Sequence, residues 1–239
     1  VAEAGILAFL LSAYTAAVSL RAALRKQSLS FFWLGIFALV YSLWNLFYLL
    51  AVSQRSLKML STTLSADFAE HFQLISALLL PYLCQKFLVS FFGRKNLHIR
   101  LGPWTCLSLL AYAVVLQAFD WSDRSLLLIV VGFFCFAGFA TISLKLWRLI
   151  RKTEDLKIQT RAFFIFVGLM ISLFFSLIGQ IRADRIFGDI PLPYLGTLLS
   201  SVLIHFIFQM TLNPRLRVVR ELMLRGIRVV FLTIILTAI

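Results

Sequence analysis

Residues 126–146 read LLLIVVGFFCFAGFATISLKL, and this stretch decides the solvent in which the chain folds. Apolar side chains cover every face of a helix drawn through it, and its one charge, Lys145, sits beside its end. A helix at a protein–water boundary carries an apolar stripe opposite a polar one; a helix that is apolar all round lies in a large core or in lipid. A bilayer core about 30 Å thick takes about 20 residues at ~1.5 Å rise each. Working outward, six further runs of this kind stand at 5–24, 31–52, 72–92, 101–119, 162–181 and 194–212, each bounded by charge, Pro or Gly. An eighth run, 229–239, is too short to cross. The composition agrees: 61% of the 239 residues are hydrophobic and 14% charged, with mean hydropathy +0.94, which excludes an ordinary water-soluble domain. The expected fold is an all-α integral membrane protein with a seven-transmembrane-helix bundle over 1–212. A basic cytoplasmic connector helix over 213–228 and a truncated eighth apolar helix over 229–239 follow it.

The formal charge of +13 would point to nucleic acid on a soluble domain, but here the cations lie in loops between apolar runs, and no nucleic-acid partner is expected. The loops after spans one, three, five and seven together hold seventeen Lys and Arg; the intervening loops hold five. The positive-inside rule places the basic loops in the cytoplasm and the N-terminus outside. After span seven, Asn213 and Pro214 form a helix-start signal, and Leu216, Val219, Leu222 and Met223 recur at helical spacing beyond it. Arg215, Arg217, Arg220, Arg225 and Arg228 fall in the same segment and are candidates for contact with anionic headgroups, at about 1 kcal/mol each. The competing reading is a stop-transfer flank with helical propensity.

Polar residues inside lipid cost energy unless they find partners, so they are where function would show. On span two, Tyr41, Asn45 and Tyr48 share one helical face; on span seven, His205 and Gln209 stand one turn apart. These five are the candidate ligand pocket, with interhelical hydrogen bonding and packing as the alternative. Span three contains Pro81, expected to kink it, and Lys86, expected to snorkel to the cytoplasmic interface. Asp67 is placed at the cap of span three. Gly168, Ser172 and Ser176 on span six and Gly196 and Ser200 on span seven form small-residue stripes that let helices approach, inside the bundle or at a dimer seam. Cys84, Cys106 and Cys135 all lie in apolar spans and read as small packing residues. No two metal or haem ligands share one depth, and span seven has no lysine to hold retinal, so no cofactor is expected. Enzyme signatures such as GxSxG, HExxH or a phosphate loop are absent from the sequence, and no catalytic residue is proposed for this chain.

Several positions together resemble the N-terminal seven-helix membrane region that precedes bacterial histidine kinases and related signalling enzymes. They are Arg25 and Lys26 followed by Trp44 and Asn45; Leu80 and Pro81 leading to Phe91, Phe92 and Gly93; Gln159, Thr160 and Arg161 leading to Gly168; Pro191 before Gly196; and Leu212, Asn213 and Pro214 leading to Arg225. The resemblance implies a sensory input module of a two-component system in the bacterial inner membrane, whose cytoplasmic output domain lies beyond this chain. A homodimer in the lipid bilayer, with a small-molecule or lipid ligand, fits that implication. Two rivals from other classes stay open at this point: a small transporter or channel subunit, and a structural anchor of a larger membrane complex.

Overall fold

The computed structural model describes residues 2–57, 63–93, 97, 101–118, 124–180 and 192–212. Within them the chain is all helical: α1 (Ala2–Lys26), α2 (Leu29–Leu57), α3 (Thr63–Phe92), α4 (Gly102–Ala118), α5 (Arg124–Lys152), α6 (Leu156–Gln180) and α7 (Leu192–Leu212). No strand occurs among the described residues. Five of these helices are long and apolar enough to cross a membrane, over Gly5–Lys26, Leu29–Leu50, His71–Phe92, Leu127–Lys152 and Leu156–Phe174; two shorter apolar stretches are Gly102–Leu116 and Gly196–Leu212. The connector 213–228 with its five arginines, the run 229–239 and most of the loop before span seven lie outside the described residues.

Helices α2 and α3 run past their apolar runs. Once a helix is nucleated, each added residue gains a backbone bond, so it need not stop where the hydrocarbon ends. For that reason Asp67 sits within α3, which begins at Thr63, rather than at its cap. The described turns, between α1 and α2 and between α5 and α6, are tight. Gln27 takes a left-handed φ of 46° and ends α1, and Ser28 then offers its carbonyl to Phe32 N at the start of α2. Gly93, φ +84°, ends α3 in the conformation that lacks a penalty only for glycine. Asp155 caps α6, its carboxylate accepting from Lys157 N at 2.8 Å, while Gln159 Nε2 reaches back to the Ile150 carbonyl at 3.1 Å and closes α5 onto α6.

Neighbour contacts close a ring in the order α1, α2, α3, α5, α6, α7 and back to α1, with α4 outside it against α3 and α5. The main core, including Leu34, Phe87, Ile142, Ile165 and Met210, draws on all six ring helices; a smaller one, Leu78, Tyr112 and Val131, ties α4 to α3 and α5. The distribution of polarity is the reverse of a water-soluble protein. Large apolar side chains face outward, as at Ile129 (70% exposed), Leu110 (63%) and Phe133 (62%), while Ser12, Thr15, Ser19 and Ser201 are fully buried. An apolar surface this extensive is stable against lipid and not against water.

The junction of α3, α4 and α5 shows how one irregularity is absorbed. Pro81 lies inside α3 and has no N–H for the Ala77 carbonyl four residues back. The Cys135 thiol of α5 donates to that carbonyl at 3.2 Å, so Cys135 is a hydrogen-bond partner as well as a packing residue. One turn on, Gly138 lets α5 meet the proline ring: a Cβ there would stand 2.7 Å from Pro81 Cβ. Trp104 of α4 donates its indole N–H to the Phe134 carbonyl at 3.3 Å, and Gln85 Oε1 accepts from Leu101 N at 3.0 Å where α4 begins. A Gly138→Ala substitution pushes against a rigid ring and should cost about 1–3 kcal/mol. Thermal unfolding in detergent is expected to show a clear drop in midpoint for Gly138→Ala and little change for Gly102→Ala, whose Cβ would meet only Tyr82 at 3.9 Å.

Candidate functional site

The buried polar groups of this bundle concentrate where α7 meets α1 and α2. On α7, Thr197, Ser201, His205 and Gln209 recur every four residues, which places them along one stripe of the helix. On α1, Ser12, Thr15 and Ser19 recur at three and four and are fully buried. On α2, Tyr41, Ser42 and Asn45 are buried as well.

Hydrogen bonds stitch these faces together at two levels. At the first, the Tyr41 hydroxyl donates to the Thr197 carbonyl at 3.0 Å, and Asn45 Nδ2 donates to the Tyr41 carbonyl at 2.9 Å. Ser201 Oγ lies 3.0 Å from that same Thr197 carbonyl and 3.1 Å from the Ala8 carbonyl of α1. At the second level, Thr15 Oγ1 stands 3.1 Å from His205 Nδ1, and His205 Nε2 stands 3.3 Å from Gln209 Nε2. The Thr15 hydroxyl proton goes to the Leu11 carbonyl at 2.8 Å. A hydroxyl has one proton, so Thr15 can only accept from His205, and the amide nitrogen of Gln209 can only donate. This assigns the imidazole its Nδ1–H tautomer, neutral, with both ring nitrogens satisfied. The Tyr14 and Phe208 rings flank it at centroid distances of 6.1 and 6.2 Å.

The five candidate pocket residues are thus spread over different levels of the bundle. Tyr41 and Asn45 belong to the first level, His205 and Gln209 to the second; Thr197, which Tyr41 reaches, and His205 lie eight residues apart on α7, about 12 Å along its axis. Tyr48 is half-buried and stacks on Trp44, which stacks in turn on Tyr41. Among the packing residues, Gly168 of α6 faces Leu203 of α7, whose side chain occupies the space a Cβ would need. Ser172 and Gly196 are buried, and Ser200 donates to the Gly196 carbonyl at 2.8 Å on its own helix. The side chain of Ser176 and the arginines from Arg215 onward lie outside the described residues. His71, on α3, meets the Tyr112 hydroxyl of α4, far from His205 in sequence and helix pairing.

The α1 hydroxyls are what the sequence reading missed. Ser and Thr in a lipid-embedded helix bond their own carbonyls one turn back, as Ser12 does to Ala8 at 2.7 Å, and so blend with Ala in a hydropathy reading. The available signal was their three-and-four spacing. No group of three His, Cys, Asp or Glu able to hold a metal occurs among the described residues. Among its described residues the seam supplies neutral donors and acceptors, which can exchange hydrogen-bond partners. Neither a protein-family model, nor a curated protein, nor a solved structure matches this chain.

A double-mutant cycle between Thr15→Val and His205→Phe reads the α1–α7 bond directly. The expected coupling is about 0.6 kcal/mol, with ~1.7 as the upper range for such bonds in membrane bundles, measured by unfolding in mixed micelles. A cycle pairing His205→Phe with Ser172→Ala should show none.

Proposed function

We propose that this chain is the transmembrane input module of a bacterial signalling protein, of the histidine-kinase type. On this reading it is a seven-span bundle of the cytoplasmic membrane with its N-terminus outside, working as a homodimer. A stimulus in or at the membrane shifts α6 and α7 relative to α1 and α2, and the basic segment 213–228 carries the shift to a cytoplasmic output domain. The observation that supports it best is the α7 seam. The helix that leads toward the basic segment is also the one whose polar face bonds to α1 and α2, so α7 is where an equilibrium between two packings would act. The excess of Lys and Arg in the odd-numbered loops supports that orientation.

Two measurements test this. In a Cys84→Ala, Cys106→Ala, Cys135→Ser background, a cysteine in place of Glu3 should react with an impermeant maleimide in intact cells, and one in place of Arg148 only after permeabilisation. The reverse pattern overturns the topology. For the role itself, removal of residues 1–212 from the intact gene product should abolish the response of its output activity to stimulus, and Thr15→Val should shift the response threshold. An unchanged response, or solute uptake by proteoliposomes containing the purified chain, sinks the signalling role.

A further inference from the structure

Among the described residues, four cations sit against aromatic rings, all at the end of the bundle where α1 turns into α2 and α5 into α6. Lys26 Nζ lies 5.4 Å from the Phe31 ring centroid, Arg151 Cζ 4.7 Å from Trp147, and Arg161 Cζ 5.8 Å from Phe91. Lys86 Nζ lies 5.7 Å from Trp33 and 5.2 Å from Tyr82. Rings and cations at one level are the composition of a membrane–water interface.

Lys86 differs from the other three. It stands inside α3, six residues before the helix ends, about 9 Å along the axis. It is half-buried, and its two rings come from different helices, Trp33 from α2 and Tyr82 from α3. An ammonium carries three N–H donors, and ring faces offer it charge attraction without a lone pair. No carboxylate reaches it among the described residues. Its N–H donors are therefore available to an anionic group from outside the protein.

The stripe of α3 leading away from Lys86 is apolar. On α3, Tyr82, Leu79, Ile75 and Phe72 follow at alternating three and four, the spacing of one helical stripe. Phe72 meets Phe47 of α2 at 4.5 Å between centroids, so the α2–α3 pairing that begins at Trp33 and Lys86 continues to the far end of the stripe. Ile75 and Phe72 are exposed at 37% and 38%. From Lys86 to Phe72 the stripe runs about 21 Å, longer than the ~15 Å half-thickness of a bilayer core, so it offers contact along a whole acyl chain.

We infer that the outer face along the α2–α3 pair binds one anionic glycerophospholipid from the leaflet on the basic side, its phosphate on Lys86 Nζ and an acyl chain along Leu79 and Ile75. The site is independent of the signalling role proposed above. Its test is native mass spectrometry of the full chain released from dodecyl maltoside with phosphatidylglycerol, phosphatidylcholine or inorganic phosphate added. One phosphatidylglycerol should be held about five-fold more tightly by the parent chain than by Lys86→Gln, the effect of one interfacial cation. Lys86→Arg should keep the lipid, as should Lys152→Gln, which removes an exposed charge at the end of α5. Thermal unfolding of Lys86→Gln alongside Lys86→Arg separates lost lipid from lost fold. Equal retention by Lys86→Gln overturns the site, as does equal loss in Lys152→Gln, which would mean diffuse surface charge. Equal retention of phosphatidylcholine overturns the anionic preference, and displacement by inorganic phosphate would mean a free-anion site instead of a lipid one.

Discussion

Lipid offers no hydrogen bonds, so every polar group that enters this bundle has to be answered from within it. That constraint accounts for features that hydropathy alone leaves unexplained. Pro81 frees a carbonyl, and a thiol on α5 answers it. Gln85 sits in the middle of an apolar core because the first N–H of the α4 turn needs an acceptor there. The α1 hydroxyls return to their own backbone and, at Thr15, also face α7. Where the constraint is not met it leaves a mark: Ser19 Oγ and Ser143 Oγ are buried with no partner among the described residues. Each such group costs on the order of 1–3 kcal/mol, so they are points where the packing is held by its surroundings.

The same constraint separates what was legible in the sequence from what was not. The apolar runs are visible because their signal is local: about 20 consecutive residues have to be apolar whatever their neighbours do. Tyr41, Asn45, His205 and Gln209 are visible because amides, phenols and imidazoles are rare in such runs. What they bond to is not, since that depends on which helices become neighbours. The candidate pocket residues spread over different levels because Tyr41 reaches a backbone carbonyl of α7, and no spacing within α2 encodes a carbonyl on another helix. Cys135 reads as packing for the same reason, its partner existing only because Pro81 stands on α3. At Asp67 the sequence marks the edge of the hydrocarbon, whereas α3 begins four residues earlier at Thr63. The position of α4 outside the ring had no sequence signal at all, its apolar run being much like the others.

The ring arrangement gives α7 a particular place. α1, α2 and α3 follow one another as neighbours in sequence and space, and so do α5 and α6; α7 closes the ring by packing between α6 and α1. Its two faces differ in kind. Toward α6 the contact is steric and apolar, Leu203 filling the space beside Gly168 and Phe206 meeting Phe164 edge-on at 6.4 Å. Toward α1 and α2 the contact combines apolar packing, such as Phe31 against Phe208 at 6.1 Å, with individually weak polar bonds.

That difference has an energetic consequence for the proposed mechanism. The cross-helix bonds of the seam are those of Tyr41 to Thr197, Ser201 to Ala8, and Thr15 to His205. At ~0.6 kcal/mol each in a membrane bundle, three of them sum to at most about 2 kcal/mol, since Ser201 shares its one proton between the Ala8 and Thr197 carbonyls. An equilibrium with a minor state at 0.1–10% spans a gap of a few kcal/mol, so breaking the seam lies within the range a ligand's differential affinity can supply. The apolar α6–α7 face has no such discrete partners to exchange and is close-packed, so displacement there would open voids along the contact. A shift that breaks the weak seam and keeps the apolar face intact moves α6 and α7 together as a pair against α1 and α2. The neutral imidazole suits this movement: His205 and Gln209 sit on the same helix and keep their own bond when α7 slides, so only the Thr15 side has to find a new partner.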